Sequence, residues 1–596
     1  MNTIPALFLH RVTESPDRIS AWAPTPDPDD QFFLEPAPHD PTAPEGWTAA
    51  THAQTHRLVA GLAKRLQSLG VGRGVPVAIL AQTSERWTLA DMAVQCLGGI
   101  TVGLYPTLTD AAVHHQLAHS ASTILLVDND ADAARCTALS EDLFDLQHIF
   151  SLLPSAVVPQ LTPARPDTDW LREQVARVRT EDVATYIYTS GTTGLPKAVV
   201  LNHHNFTSVI HASSARLPLE PDDRAVIFLP LAHVLQRFTQ YRGLTEAAVG
   251  WFAPSIAALP DTIRVARPHV MATVPRMLEK IRAQIVAQAA ARGPQAAAAL
   301  AWAIGVGRTR NAKRWNGEWV GIRLQAQHRL ADRVVFSKIR EGLGGHLRLL
   351  ICGGAPLDPD LATWFEAIGI AVREGWGLSE TTAPVTVNGL DEFRFGTVGT
   401  PLDGNEVTVA EDGELLVRGP GVFQGYLNDL DATADAFTLD GRFKTGDLGV
   451  IEDGFVRIVG RKKDIIVTAG GKNIAPIPIE HALGQSLGAT AVVVGDNRPY
   501  LVALVALDPD ELAARAAAGG WPDGFEAWTA RPEIHAEVGA AVAAVNDTLA
   551  PYETIKRWRV LPIPITAENG LLTPTLKLKR RAIAARFAEE IGGLYA

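Results

Sequence analysis

Residues 188–201, YTSGTTGLPKAVVL, place four small hydroxyl side chains, two glycines and one lysine between two apolar runs. Those runs read as buried strands, so the chain must reverse through a short polar loop. Gly191 and Gly194 lack a Cβ, which lets successive backbone N–H groups turn inward around an anion. Thr189, Ser190, Thr192 and Thr193 add neutral donors, and Lys197 adds a point charge. A Walker A loop needs G-x-x-x-x-G-K-[ST]; here the glycines are three apart, Pro196 precedes the lysine and no hydroxyl follows it. That spacing disfavours an ordinary P-loop NTPase. By themselves the residues fit a phosphate cradle and also a polar hairpin, and the rest of the chain has to decide.

At 596 residues the chain has room for three or four units of roughly 150 residues. Residues 75–80 read as a strand, 87–97 as a helix and 100–105 as a second strand, which is a βαβ unit. Helical 114–119 and the continuous apolar run 123–127 repeat the pattern, and wholly apolar strands indicate a sheet covered on both faces. A doubly wound α/β architecture follows, with further strands at 225–229, 269–273 and 347–352. Ligands of such sheets sit where strands end in loops. From 406 onward short alternating strands with Asp-Gly turns at Asp412, Asp440 and Asp453 read as a β-rich subdomain. A last unit begins near 460, with strands at 491–494 and 501–507, a helix around 533–549 and a basic tail.

Composition narrows the partners. There are 54 basic and 65 acidic residues, and the net charge of −11 suggests no nucleic-acid partner. Cys96, Cys136 and Cys352 have neither metal nor disulfide spacing, so a reducing cytoplasm is expected. No signal peptide is legible, and the Ala-rich run 296–307 is too short to span a bilayer. The basic stretch with Arg308, Arg310, Lys313 and Arg314 lies beside Trp315 and Trp319. It fits a solvated helical insertion with a buried aromatic face, and it also fits a peripheral membrane contact through 308–340.

Several further stretches suit a nucleotide. Gly353, Gly354, Ala355 and Pro356 follow an apolar strand, and EGWGLSET follows the strand 371–373. Gly375 and Gly377 let a flat ring approach the backbone, Trp376 offers a stacking face, and Glu380 offers a hard oxygen for Mg²⁺. Asp447, at a loop after an Asp-Gly turn, can accept from a diol, although an aspartate there also caps turns. The cluster 460–464 reads as a charged linker. Gly470 and Gly471 leave room for a narrow ligand arm or make a plain turn. Lys577 opens a run of four cations in five residues that reads as a solvated tail unless folding brings it to a site.

In this order these stretches resemble the adenylate-forming superfamily of acyl-CoA synthetases, nonribosomal-peptide adenylation domains and luciferases, from about residue 75 to the C-terminus. The chain looks most like the long-chain fatty acyl-CoA synthetases, through LPLAHVLQR (229–237), RPHVMATVPRMLEKI (267–281), FSKIREGLGGHLRLLICGGAPL (336–357), RKKDIIVTAGGKNIAP and NGLLTPTLKLKRR. The resemblance implies an N-terminal adenylation domain over 1–459 built of stacked α/β sheets, with a β-rich subdomain at about 396–459. A hinge at 460–463 and a small mobile α+β C-terminal domain over 464–596 complete it.

The resemblance also implies fatty acid, ATP and CoA as ligands and Mg²⁺ as the ion. On it, Thr189 to Lys197 bind the β- and γ-phosphates. Gly353, Gly354, Ala355, Pro356, Gly375, Trp376 and Gly377 line the adenine, and Ser379 meets the α-phosphate. Glu380 holds Mg²⁺, Asp447 with Arg461 binds the ribose, and His233 lies near the reacting carboxylate. Lys463 is the hinge, Gly470 and Gly471 border the pantetheine channel, and Lys577 serves adenylation. The chain departs from the family pattern at Ala198, Trp376 and Ser379, where glycine, tyrosine and threonine are usual, and at Gln236, where long-chain members often carry glutamate. An acyl-AMP ligase that delivers to a carrier protein, or a non-catalytic acyl- or nucleotide-binding homologue, is the alternative.

Overall fold

The βαβ pattern read at 75–127 is present in the computed structural model as strands Pro76–Leu80, Ile100–Leu104 and Ile124–Val127 with helices Glu85–Cys96 and Asp110–Ser120. The structure describes residues 2–27, 30–32, 43–189, 195–522, 524–566, 569–573 and 577–596. Ser190, Gly191, Thr192, Thr193 and Gly194 therefore lie outside the described residues. Two compact units are present: Met1–Val407 with Val417–Phe443 and Ile451–Arg457, and Thr408–Leu416 with Lys444–Val450 and Ile458–Ala596.

In the first unit a seven-stranded sheet runs Gly425–Tyr426, Lys197–Asn202, Val183–Thr189, Ile100–Leu104, Pro76–Leu80, Ile124–Val127 and His148–Ser151. Both of its faces are covered. Val77 and Ile79 join one apolar cluster while Ala78 and Leu80 join another, and Ile124 and Leu126 are divided from Leu125 and Val127 in the same way. Side chains alternate across a strand, so a sheet buried on both faces needs an apolar residue at every position. A nine-stranded sheet runs Thr400–Pro401, Ala383–Val387, Ala371–Leu378, Leu349–Cys352, Val270–Thr273, Arg224–Ile227, Val249–Phe252, Ile19–Pro24 and Trp47–Thr51.

Residues 371–378 differ from expectation. The strand does not give way to a glycine loop after Arg373; it continues to Leu378, paired antiparallel with Ala383–Val387 through a bulge at Trp376/Gly377. A Cβ at Gly377 would stand 1.7 Å from Ala383 O, so glycine is what allows the two strands to close. The basic stretch is helical, as Pro294–Trp315, Ile322–Ala331 and Ser337–Gly342 with a π turn at Asp332–Phe336. Leu300, Ala303, Ile304 and Phe336 enter the core, and Trp315 packs edge-on against Phe393 and Phe395. Trp319 and Ile322 remain 77% exposed. Among the described residues no helix is long and apolar enough to cross a membrane.

The second unit centres on strands Ala489–Val494, Leu501–Leu507 and Ile555–Val560. Ala491, Val493, Ala503 and Val505 pack on helices Pro476–Leu487 and Pro532–Asn546. Val492, Val502, Leu504 and Ala506 face Ile583, Ile591 and Leu594 of helices Arg580–Arg586 and Ala588–Tyr595, and Phe587 between the two helices. The expected solvated tail is thus folded from Arg580 onward, because these apolar residues close the second face of the sheet. Arg580 makes a bidentate pair with Glu480, at 2.6 Å for each bond. Strands Glu406–Val409, Glu414–Arg418, Phe443–Glu452 and Phe455–Arg461 form a four-stranded sheet in that order.

Candidate active site

Of three neighbouring parallel strands of the nine-stranded sheet, Val270–Thr273, Leu349–Cys352 and Ala371–Leu378, the second releases Gly353 and Gly354 at its carboxyl end and the third carries Gly375 and Gly377 within it. Gly353 N–H donates to Thr273 O (3.3 Å) as the chain leaves the sheet. A Cβ at Gly353 would lie 3.5 Å from Gly375 O and 3.8 Å from Leu235 Cδ2. The fold therefore brings Gly353, Gly375 and the N-terminus of helix Val234–Glu246 together, although 118 to 140 positions separate the helix from the two glycines (353 − 235 and 375 − 235). Trp376 is buried, and Gly375, Gly377 and Ser379 are half-buried. Glu374, which sequence reasoning passed over, ties two of these segments by accepting from Leu357 N–H at 3.0 Å. Burial pushes its carboxyl up to about 8.

His233 is the N-cap of that helix: its Nδ1 accepts from Leu235 N–H at 3.2 Å. In the neutral imidazole this puts the ring proton on Nε2. The turn before it is pinned by Thr83, whose hydroxyl donates to Leu229 O (2.8 Å) and accepts from Leu231 N–H (3.0 Å). Gly103 lets the turn seat, because a Cβ there would fall 2.9 Å from Ala232 Cα. Gln236 is buried, with its amide oxygen accepting from Leu229 N–H (3.3 Å) and its nitrogen donating to Thr239 Oγ1 (3.0 Å). At this position the neutral side chain braces the turn. The helix is locked from below by Arg237, which is fully buried. Its guanidinium donates to Asp91 Oδ1 (2.6 Å), Thr185 Oγ1 (2.9 Å) and Tyr241 Oη (3.1 Å), and lies 4.9 Å from the centre of the Trp87 ring.

At the edge of the seven-stranded sheet, Thr189 and Lys197 are register partners at the mouth of the loop. Lys197 Nζ lies 3.3 Å from Asp429 Oδ2 and 5.2 Å from the centre of the Tyr426 ring. The Tyr426 hydroxyl donates to Glu380 Oε1 at 2.9 Å, so one ring links the expected metal carboxylate to the loop lysine. Burial, and then the Glu380 carboxylate, hold the Tyr426 phenol protonated well above its ordinary range. The Ala432 N–H, and then Lys197, hold Asp429 below the usual carboxylate range. Neither Tyr426 nor Asp429 was singled out from the sequence, since no spacing rule connects them to 197 or 380. Among the described residues no cluster of three His, Cys, Asp or Glu side chains could hold a metal. One hard carboxylate, Glu380, suits a Mg²⁺ that takes its remaining ligands from phosphates and water.

In the second unit Asp447 lies inside strand Phe443–Glu452, not in the loop expected of it. It is 4% exposed, and Arg461 Nε donates to its Oδ1 at 2.7 Å. The expected charged linker is partly paired. Lys462 bridges Asp412 (2.5 Å) and Glu414 (2.9 Å), while Lys463 is exposed in the turn Lys462–Asp464. Gly470 and Gly471 are exposed, with no atom closer than 3.9 Å to a Cβ built on either. Lys577 is exposed, and its backbone closes on Thr573, with Lys577 N–H donating to Thr573 Oγ1 at 3.0 Å.

The fold is that of the adenylate-forming enzymes. The chain superposes on the adenylation domain of a carboxylate reductase from Mycobacterium chelonae with a TM-score of 0.75 at 18% identity, over 100% of this chain and 91% of that one. A family model described as AMP-binding enzyme matches residues 28–427, and one described as AMP-binding enzyme C-terminal domain matches 463–596. The chain belongs to the AMP-binding enzyme family. It is 37% identical over 572 residues to the long-chain-fatty-acid–CoA ligase FadD15 of Mycobacterium bovis, covering 92% of each chain. With the long-chain-fatty-acid–CoA ligase ACSBG2 of Gallus gallus it shares 31% identity over 600 residues, 92% of this chain and 78% of that one.

Proposed function

We propose that this chain activates a long-chain fatty acid with ATP and passes the acyl group to CoA. The observation that carries the reading is the 37% identity, over 92% of its length, to a protein named as a long-chain-fatty-acid–CoA ligase. A carboxylate resists direct attack by a thiol because its leaving group would be oxide. In the first half-reaction its oxygen bonds to the α-phosphorus of ATP, the bond from that phosphorus to the bridging oxygen breaks, and pyrophosphate leaves. The thiol of CoA then attacks the acyl carbon, AMP departs with the former carboxylate oxygen, and the thiol proton is lost to solvent.

Each side chain has a part in this proposal. Thr189 and Lys197 hold the β- and γ-phosphates, together with the loop residues between them. Gly353 to Pro356, Gly375, Trp376 and Gly377 line the adenine, Ser379 meets the α-phosphate, and Asp447 with Arg461 holds the ribose. His233, with its proton on Nε2, orients the fatty carboxylate. Glu380 is the carboxylate that would hold Mg²⁺, whose positive charge offsets that of the phosphates. Lys577 stabilises charge on the α-phosphate as the anhydride forms. Loss of one such fixed cation costs about 10²- to 10³-fold in rate. Gly470 and Gly471 flank the pantetheine arm, and rotation about Lys463 exchanges Lys577 for that arm between half-reactions.

The proposal includes a peripheral approach to anionic lipid through 308–340. Ile322, Ala326, Leu330 and Val334 succeed one another at helical spacing and are all exposed, with exposed Arg323, Arg329 and Arg333 beside them. Three free, buried cysteines suit a reducing cytoplasm. The decisive experiment supplies ATP, CoA and fatty acids from short to long and measures thioester directly. Thioester favouring long chains is expected; pyrophosphate release without thioester from free CoA would replace the ligase reading with delivery to a carrier protein.

A further inference from the structure

Asp429 is built into the sheet edge that carries Lys197. The strand Gly425–Tyr426 pairs antiparallel with Val199 and Val200, and Leu427 N–H donates to Ala198 O at 2.9 Å. The chain then turns through Asn428 in the left-handed region (φ +52°), and Asp429 caps helix Leu430–Asp435 by accepting from Ala432 N–H at 2.9 Å. Register and cap together aim the carboxylate at Lys197 Nζ, while the Tyr426 ring supports the ammonium from another side. Both charged partners are part-exposed, at 41% for the lysine side chain and 38% for the aspartate, so the pair can exchange with a ligand. A cation meant only to bind phosphate would gain affinity by standing alone. Here a fixed anion competes for it.

We propose that Asp429 is an internal counter-ion for Lys197 that competes with pyrophosphate for the ammonium and so speeds release of that product, with Tyr426 fixing where the exchange occurs. This rests on the reading of Lys197 as a phosphate ligand. In the exchange no covalent bond changes: as the phosphate anion withdraws, the ammonium returns to a carboxylate already in place, and the lysine is never left uncompensated. A part-exposed ion pair sets the size of the effect at about two- to fivefold in affinity.

The test is equilibrium binding of pyrophosphate with Mg²⁺ to the full chain, without fatty acid, for wild type, Asp429→Asn, Lys197→Ala and the double variant. Asparagine caps helices as well as aspartate does, so the turn is preserved. Asp429→Asn is expected to bind pyrophosphate about two- to fivefold more tightly, a gain that damage to the fold would not produce. Lys197→Ala should bind more weakly, and the double variant should match Lys197→Ala. If Lys197→Ala weakens binding but Asp429→Asn does not tighten it, the counter-ion proposal fails and the phosphate role of Lys197 stands. Unchanged binding in Lys197→Ala would overturn the underlying reading and the proposal with it. A gain that persists in the double variant would show that Asp429 acts on pyrophosphate without the lysine, and would overturn the proposal alone.

Discussion

Removing the carboxylate of Asp91 should be among the most damaging single changes in the first unit, although nothing exposed is altered. Arg237 has no exposed surface and Asp91 only 2%. The carboxylate accepts from Arg237 Nη2 (2.6 Å), Tyr241 Oη (2.6 Å) and Gln95 Nε2 (3.3 Å). Asp91→Leu leaves a guanidinium in a dry interior with two neutral acceptors and no counter-charge, a loss of about 3–5 kcal/mol. For a unit of more than four hundred residues, the entropy of unfolding per residue converts this to a fall of about 3–5 °C in the melting midpoint. The reverse change, Arg237→Met, orphans the carboxylate instead. Thermal melts of the two single variants should both fall below wild type, since each leaves one buried charge without its partner. The double variant Asp91→Leu/Arg237→Met should lose less than the sum of the two. Additive losses would refute the account of a buried charge pair.

Other outcomes follow from the site. The folded pKa of Glu374, about 8, lies above its unfolded value near 4.5, so its contribution is fully present below pH 4.5 and is lost as the pH rises to 8. Wild type should therefore lose up to about 4 kcal/mol relative to Glu374→Gln between those limits, and parallel stability curves would contradict this. Lys577→Ala should abolish acyl adenylate formation yet leave thioester formation from supplied acyl adenylate largely intact, as resolved by single-turnover assays of each half; equal loss of both would sink the exchange of Lys577 for the pantetheine arm. Gly470→Leu adds bulk in open space without the strain that Gly471, at φ +73°, would impose, and it should slow the thiol step while sparing pyrophosphate release.

Much of the architecture was legible because burial on both faces leaves a one-dimensional trace. A strand such as Ile124–Val127 has no polar position to spare, and it can be read without knowing its neighbours. The chain reversal between Thr189 and Lys197 was legible for a related reason, since two apolar runs bound it and they pair antiparallel in the seven-stranded sheet. The order of the later motifs is what favours the proposed nucleotide site over an ordinary hairpin. The tail after Lys577 misled because its cations outweigh, by composition, the spaced apolar residues Ile583, Phe587, Ile591 and Leu594, whose meaning depends on an uncovered sheet face elsewhere. Asp447 misled because a turn signal before it says nothing about the strand it enters. The sequence by itself determined the two-faced α/β sheets, the family resemblance and the kinds of residue a nucleotide site requires. Only the tertiary structure decided that the strand 371–378 runs through its glycines, that Arg237 is neutralised by Asp91, and that Lys197 meets Asp429 across 232 positions (429 − 197). Period and turn chemistry are local properties of a chain, whereas the partner of a charge is chosen by strand register and packing between segments that are distant in sequence.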